Sequence, residues 1–363
     1  MKQSALHPVH LQLNAKMIEF QGRQMPLQYA GTAEEHLAVR TAAGLFDVSH
    51  LGRIEISGTG AAGLLQKTFT RNISKLPEGT ATYGLLCNES GFILDDPLLF
   101  HLPKGQSGDR YLLSTNAVNT DKIASWLKQH ANQDVQITDT TQTTAQIALQ
   151  GPSSDSLFEK MVGPHVKKIR PKNVRELSLA GTSVMVSRTG YTGEHGYEFF
   201  VPAEHAMALW TLIMETGKES GLAPCGLAAR DILRLEMGYV MYGHDIDETR
   251  NPLEAGLGPF VDLKKDFIGK EAIIKQKSAG ITRRLAGFML LEKEIPLSGG
   301  SIFSENREIG AVTSSAYSPS VRKGIGLGYV LARYAQPGQE VEIEVKDREI
   351  AAKIVELPFY RKK

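Results

Sequence analysis

The chain has 363 residues, and its 41 Lys and Arg nearly cancel 40 Asp and Glu, leaving a formal net charge of +1. That balance gives no electrostatic footprint for nucleic acid and no polybasic run for a membrane surface. Cys87 and Cys225 lie far apart without CxxC spacing, so neither a disulfide framework nor a zinc site is indicated, and no apolar run approaches the ~20 residues of a membrane span. The opening MKQSALHPVHLQL lacks a continuous apolar stretch and a small-residue cleavage site, so it does not read as a targeting segment. An apolar share of 42% and a charged share of 22% are those of an ordinary globular protein. The length predicts two or three domains in a soluble, cytoplasmic protein.

In chain order, Thr32-Ala-Glu-Glu35 reads as a capping box opening a helix through His36, Leu37, Val39 and Arg40, with Gly44 as its stop. Gly52–Ser57 reads as a strand and Ala61–Thr68 as a helix. Ala81–Cys87 and Phe92–Phe100, joined by Asn-Glu-Ser-Gly, read as an antiparallel hairpin. A strand at Arg110–Thr115 precedes a helix near Asp121–His130, and a strand at Ala145–Gln150 breaks at Gly151-Pro152 before a helix at Ser154–Met161. Strands flank a loop at 189–196, and helices cover about 203–220 and 226–237. From Arg284 the texture changes to short alternating runs at Leu285–Leu291, Glu308–Thr313, Gly326–Leu331, Glu340–Val345 and Glu349–Val355. Without helical periodicity these predict an all-β module, a small barrel or sandwich, with its boundary near 280 inside the polar stretch Lys275–Arg284.

Several motifs invite a chemical reading. Gly58-Thr-Gly60-Ala-Ala-Gly63 is a literal GxGxxG between a strand and a helix, the context of a dinucleotide-binding turn. Its candidate ribose contact, Glu78, sits in the turn Leu76-Pro-Glu-Gly79, and a hairpin follows, so the βαβ unit is missing and the motif is rejected. In Ile93-Leu-Asp-Asp-Pro-Leu98 two carboxylates interrupt an apolar run. Successive strand residues face opposite ways, so Asp95 and Asp96 share one site only if the strand breaks between them. Either one of them meets a ligand while the other is structural, or both are structural aspartates at a strand end.

Glycines at 190, 193 and 196 in the loop 187–198 imply close backbone approach to something, or an unusual turn. Tyr191 and Tyr197 offer flat apolar faces there, and Glu198 is a carboxylate beside apolar residues. On the helix at 226–237, Arg230 and Arg234 share a face and repel unless an anion or a carboxylate such as Asp231 or Glu198 lies between them. Asp47-Val-Ser-His50 has the residue types of a hydrolase triad but no GxSxG elbow. His244-Asp-Ile-Asp-Glu248 lacks calcium-loop spacing and reads as a solvated acidic turn, so no metal site is expected.

Taken in order, Ala38-Val-Arg-Thr-Ala-Ala-Gly-Leu-Phe-Asp-Val-Ser-His50, Ile93-Leu-Asp-Asp96, Leu149-Gln-Gly-Pro152, Arg188-Thr-Gly-Tyr-Thr-Gly-Glu194 and Cys225-Gly-Leu-Ala-Ala-Arg-Asp-Ile-Leu-Arg-Leu-Glu236 resemble one family. Tyr242-Gly-His-Asp245, Asn251-Pro-Leu-Glu-Ala-Gly-Leu257, Asp266-Phe-Ile-Gly-Lys270 and Pro358-Phe-Tyr-Arg361 extend the match to the end. The family is the T protein of the glycine cleavage system, a tetrahydrofolate-dependent aminomethyltransferase.

The resemblance implies an α+β fold: a cloverleaf of two interleaved domains, the first ferredoxin-like, plus a C-terminal β-barrel. The divisions would be about 1–50 with 140–225, 51–139 with 226–280, and 281–363. It implies Asp96 as the catalytic residue and Tyr83, Asn116, Tyr191, Glu198, Arg230, Tyr239 and Leu51 as tetrahydrofolate contacts. The implied partner is lipoylated H protein, whose aminomethyl arm gives up ammonia while its carbon passes to tetrahydrofolate. Basic residues Arg361–Lys363 would meet the acidic folate tail. The chain departs from the family's pattern at Phe92, Pro97 and Phe100 around the acidic pair, and with Leu51 for Met, Arg23 for Trp and Ala228 for Gly. Rival readings are a folate-dependent demethylase of a small methylated metabolite and a non-catalytic folate-binding assembly protein.

Overall fold

The central sheet is built around a strand that the sequence conceals, Ala43–Asp47, every residue of which is buried. A strand covered on both faces shows no alternation, which is why the helix before it seemed to run on to Gly44. In the computed structural model, which describes residues 2–106, 108–163, 169–346 and 348–362, the helix is Thr32–Thr41 and the chain leaves it at Ala42. Gly44 is therefore not a helix stop. A Cβ there would meet Val39 Cγ2 at 2.4 Å and Cys225 Sγ at 2.7 Å, so glycine serves close packing of the strand.

The capping box also forms differently. Thr32 Oγ1 donates to Gln28 Oε1, while Glu35 Oε1 accepts the amides of Tyr29 and Gly31. Its other oxygen accepts the amide of Gly226 at 2.7 Å, so a carboxylate expected to cap its own helix ties down a distant turn.

Contacts divide the chain into two units, Met1–Gly84 with Asp95–Arg230, and Leu85–Leu94 with Asp231–Lys363. In the first, a six-stranded sheet runs in the order Val174–Leu179, Thr182–Ser187, Gly196–Pro202, Thr144–Gln150, Ala43–Asp47, Leu222–Cys225. Only the last pair is parallel. Helices Ser154–Val162 and Ala206–Gly217 cover it, burying Phe158, Leu209, Trp210 and Ile213 against Leu45, Ile147 and Phe199.

A five-stranded sheet runs Gln136–Asp139, Gly52–Ser57, Gly108–Thr115, Leu98–Gly105, Thr80–Tyr83. Both neighbours of Gly52–Ser57 are antiparallel, so the glycine motif at its end has no βαβ unit. Phe100 of this sheet meets Phe200 of the other edge-on at 5.2 Å, within a shared apolar cluster. A small sheet of Lys2–Gln3, Arg23–Gln28 and Lys16–Phe20, unmarked in the sequence reading, completes the unit.

The expected hairpin at 81–100 is split. Thr80–Tyr83 pairs with Leu98–Gly105, whereas Leu86–Cys87 and Ile93–Asp95 form a separate two-stranded sheet. In the second unit, the helix Lys270–Ala279 occupies part of the stretch read as a polar boundary, and Arg283–Leu290 starts the barrel. The barrel closes in the order Arg283–Leu290, Lys323–Leu331, Arg307–Ser318, Ser301–Ser304, Glu340–Val345, Arg348–Val355. Alternation puts Val341, Ile343, Val345, Ile350, Ala352 and Ile354 in its core, as the sequence pattern requires. The strand Ser301–Ser304 is too short for that pattern to reveal. The fold class is thus mixed α+β with a closed C-terminal barrel. Among the described residues no helix is long and apolar enough to cross a membrane.

Gly151, the break read after Gln150, has φ +137 and stands so close to the preceding helix that a Cβ would lie 2.5 Å from Ala42 O and 2.9 Å from Val39 O. Both contacts are backbone and neither gives way. Gly151→Ala is expected to cost about 3 kcal/mol from backbone strain and overpacking, read as a lower urea midpoint at unchanged slope.

Candidate active site

The strand that carries the acidic pair ends at Asp95, and Asp96-Pro97 forms the break before Leu98–Gly105 begins. Pro97 supplies no amide for either ladder. The condition for the two carboxylates to share a site is therefore met. One side-chain amide bridges them: Asn116 Nδ2 donates to Asp95 Oδ1 at 2.8 Å and to Asp96 Oδ1 at 2.6 Å. Asp95 is fully buried and also accepts the Asn116 amide at 3.2 Å and Asn119 Nδ2 at 2.7 Å. Asp96 keeps one side accessible and accepts the Tyr83 hydroxyl at 2.9 Å.

Burial and the neighbouring Asp95 charge push the Asp96 carboxyl up to about 8. Burial also raises Asp95, but less, because its amide donors favour the carboxylate. The Tyr83 hydroxyl is raised well above its ordinary value by burial and by Asp96, so it stays a donor.

A second group lies on the six-stranded sheet. Glu198, inward on Gly196–Pro202, accepts Gln146 Nε2 at 3.1 Å and Thr189 Oγ1 at 2.5 Å. The Arg230 guanidinium lies over the Tyr191 ring, 4.9 Å from its centroid. Burial lowers the Arg230 pKa, while Glu198 and Tyr191 oppose that shift. Arg230 Nη1 is buried without a hydrogen-bond partner among the described residues. An arginine N–H removed from water and left unmade is costly, so this corner suits an acceptor from a bound molecule. Burial, Asp96 and, to a lesser degree, the Tyr191 charge raise the Tyr83 hydroxyl. Burial and then Arg230 push the His50 imidazole down to about 3, so it is neutral, and its Nδ1 has no partner among the described residues.

The loop glycines now have a reason. A Cβ on Gly190 would lie 2.0 Å from Gln150 Oε1, and one on Gly196 2.3 Å from Gln150 Nε2. What approaches the backbone is the Gln150 side chain, which donates to Thr189 O and accepts from Thr192 Oγ1. Arg40 fastens the loop through Thr192 O and Glu194.

The remaining candidates do other work. Asp47 accepts from Ser4, His10 and the Ser49 amide. Burial alone would raise it, but these bonds and the His10 charge hold it below the carboxylate range. Ser49 Oγ bonds Gln146 O, so Asp47, Ser49 and His50 form no triad. Asp245 is buried rather than a solvated turn residue, because Arg234 Nη1 reaches it at 2.6 Å. Arg234 also takes Asp231, so each of the two arginines that were expected to repel has its own counter-charge, Glu198 acting on Arg230. Among the described residues no cluster of His, Cys, Asp and Glu could hold a metal ion.

The GCVT N-terminal domain family matches residues 6–265, and the glycine cleavage T-protein C-terminal barrel domain family matches residues 283–361. The chain belongs to the glycine cleavage T-protein family. An aminomethyltransferase of Halothermothrix orenii is 44% identical over 99% of this chain and 100% of its own length. Another, from Geobacillus thermodenitrificans, is 43% identical over 100% and 99%. The crystal structure of the glycine cleavage system aminomethyltransferase T from Bartonella henselae superposes with a TM-score of 0.91 at 31% identity, covering 99% of this chain and 98% of that one.

For this T-protein family member, the structure joins Asp96, Tyr83 and Asn116 by hydrogen bonds, and Tyr191, Arg230 and Glu198 by ring contact and charge. Leu51 is half-buried and follows His50. Tyr239 belongs to the second unit, where its carbonyl accepts Arg234 Nη1 at 2.9 Å. Arg361 pairs with Glu356, and Lys363 lies outside the described residues. Sequence reasoning missed Asn119, Gln146 and Thr189, and weighed His50 only as a hydrolase-triad residue. The Asn116-Ala-Val-Asn119 spacing on a 3-10 turn was the one available signal, since it brings both amides to Asp95.

Proposed function

We propose that this chain, an aminomethyltransferase of the T-protein family, moves the methylene carbon of aminomethyl-lipoyl H protein to tetrahydrofolate in the cytoplasm, releasing ammonia. The observations that carry the reading are the half-buried Asp96 carboxyl held by Tyr83 and Asn116, and a buried Arg230 donor that lies over the Tyr191 ring with no hydrogen-bond partner among the described residues. A reduced pterin presents an amino group and a ring N–H together, and the Glu198 carboxylate suits both, while Arg230 suits the ring oxygen. Tyr83, Tyr191 and Leu51 supply the apolar wall, and Asn116 holds Asp96 in register. Asp96 acts at the folate nitrogen that closes the ring.

The reaction balances without an oxidant. The carbon loses its bonds to nitrogen and sulfur and gains bonds to folate N5 and N10, whose two protons leave with ammonia and on the dihydrolipoyl thiol. The finer domain division, about 1–50 with 140–225, 51–139 with 226–280, and 281–363, is part of the same proposal. The membership of the six-stranded and five-stranded sheets and the start of the barrel at Arg283 support it.

The test is release of ammonia and formation of methylene-tetrahydrofolate from aminomethyl-lipoyl H protein. No turnover by a protein that still binds tetrahydrofolate would move the donor to a small methylated metabolite. Glu198→Gln keeps the shape but loses the charge, so the KM for tetrahydrofolate should rise about 10- to 100-fold, with a smaller change in kcat.

A further inference from the structure

The proposed chemistry assigns Asp96 a role but leaves Asp95 as scaffolding, and the contacts around Asp95 argue for more. Among the described residues it receives side-chain and backbone N–H groups of Asn116, the Asn119 amide and a backbone bond from Asp96, and it accepts from no hydroxyl. A donor-only environment of this kind favours the ionised carboxylate. Asp96 receives one amide and one phenol, and it is the accessible member. The single Asn116 amide touches both carboxylates, so two negative charges would face each other across one N–H₂ group in a poorly hydrated site. Like charges this close do not both ionise at neutral pH. No cation bonds to either carboxylate among the described residues: the groups acting on Asp96 are Asp95, Tyr83 and Asn116, and those acting on Tyr83 add Tyr191.

We propose that Asp95 and Asp96 hold one proton between them before substrate arrives, with Asp95 kept as the carboxylate by its amide donors and Asp96 presented as the acid. Asp95 is then a positioning residue for a proton. The consequence for the reaction rests on the function proposed above. Asp96 gives its proton to the departing amine as the carbon–nitrogen bond breaks, and takes one back from the folate nitrogen that forms the new bond. The second folate proton goes to the thiolate, and the pair ends the cycle with one proton, as it began.

The site can be titrated without folate or H protein. Infrared spectra of the wild type at neutral pH should contain a protonated-carboxyl band that vanishes in Asp96→Asn and titrates with a midpoint above neutrality. In Asp95→Asn the midpoint should move towards acid by about one pH unit or more, because the repelling charge is gone. The alkaline fall of kcat should move with it. A wild type without the band at neutral pH overturns the proposal, and that measurement needs no Asp95 variant to fold. An Asp95→Asn protein that is less stable but keeps the wild-type midpoint also overturns it, since that is what a merely structural aspartate would do. Failure of the functional reading looks different: the band and its shift would persist in a protein that does not turn over aminomethyl-lipoyl H protein. In that case the one-proton pair stands and the donor assignment falls.

Discussion

Asp96→Asn is expected to lower kcat about 10³-fold, the usual loss when a positioned acid–base group is replaced, while tetrahydrofolate binding changes little. Asparagine keeps the shape, and its one oxygen can still accept the Asn116 amide while its Nδ2 donates to the Tyr83 oxygen, so the site should survive without its transferable proton. The same variant should be more stable than the wild type in alkali. Burial, with the neighbouring Asp95 charge, raises the folded-state pKa of Asp96 to about 8 from the ordinary 3.8 of an aspartate. The folded protein therefore binds more protons than the unfolded chain between these values. The stability linked to that carboxyl is full below the unfolded pKa and is lost as pH rises through the folded one. An amide does not titrate, so the difference in Tm between variant and wild type should widen from mildly acidic to alkaline pH. A kcat within a few-fold of wild type would remove Asp96 from the chemistry, and a Tm difference independent of pH would remove the raised pKa.

The largest loss of stability is expected from Arg234→Ala. The Arg234 side chain is 2% exposed and that of Asp245 fully buried, with 2.6 Å between them. Arg234 further reaches Asp231 at 2.7 Å, Tyr239 O at 2.9 Å and Ser314 Oγ at 2.9 Å, so one guanidinium ties the helix to a barrel strand and to the turn bearing Tyr239. Removing it leaves the Asp245 carboxylate buried with, among the described residues, the Met241 amide and the Thr313 hydroxyl. Breaking a buried pair from one side costs about 3–5 kcal/mol, most of it the stranded charge. Urea unfolding should show this directly. Adding Asp245→Asn to Arg234→Ala should recover part of the loss, because the second change removes the charge. A double variant no better than the single would mean that lost packing and donors dominate instead.

Local pattern made much of this protein readable in advance. The alternation in Glu340–Val345 and Arg348–Val355 specified barrel strands, because a half-buried strand writes its two faces into its sequence. The helices at 203–220 and 226–237 and the rejection of the glycine motif followed from similar local signals. Ala43–Asp47 escaped because burial on both faces erases alternation, and the first sheet escaped because its strands are short and mixed in polarity. Glu35 escaped because its partner, the Gly226 amide, lies 191 residues away.

The site divides along the same line. Local patterns singled out Asp96, Tyr191, Glu198 and Arg230 as candidates, and the family resemblance added Tyr83 and Asn116. What each of them faces was decided only by the fold: the strand break that turns Asp95 and Asp96 onto one amide, the Gln150 side chain that the loop glycines accommodate, and the arginine donor without a partner among the described residues. Hydrogen bonds and desolvation depend on distances between residues far apart in the chain, and no local pattern encodes those distances.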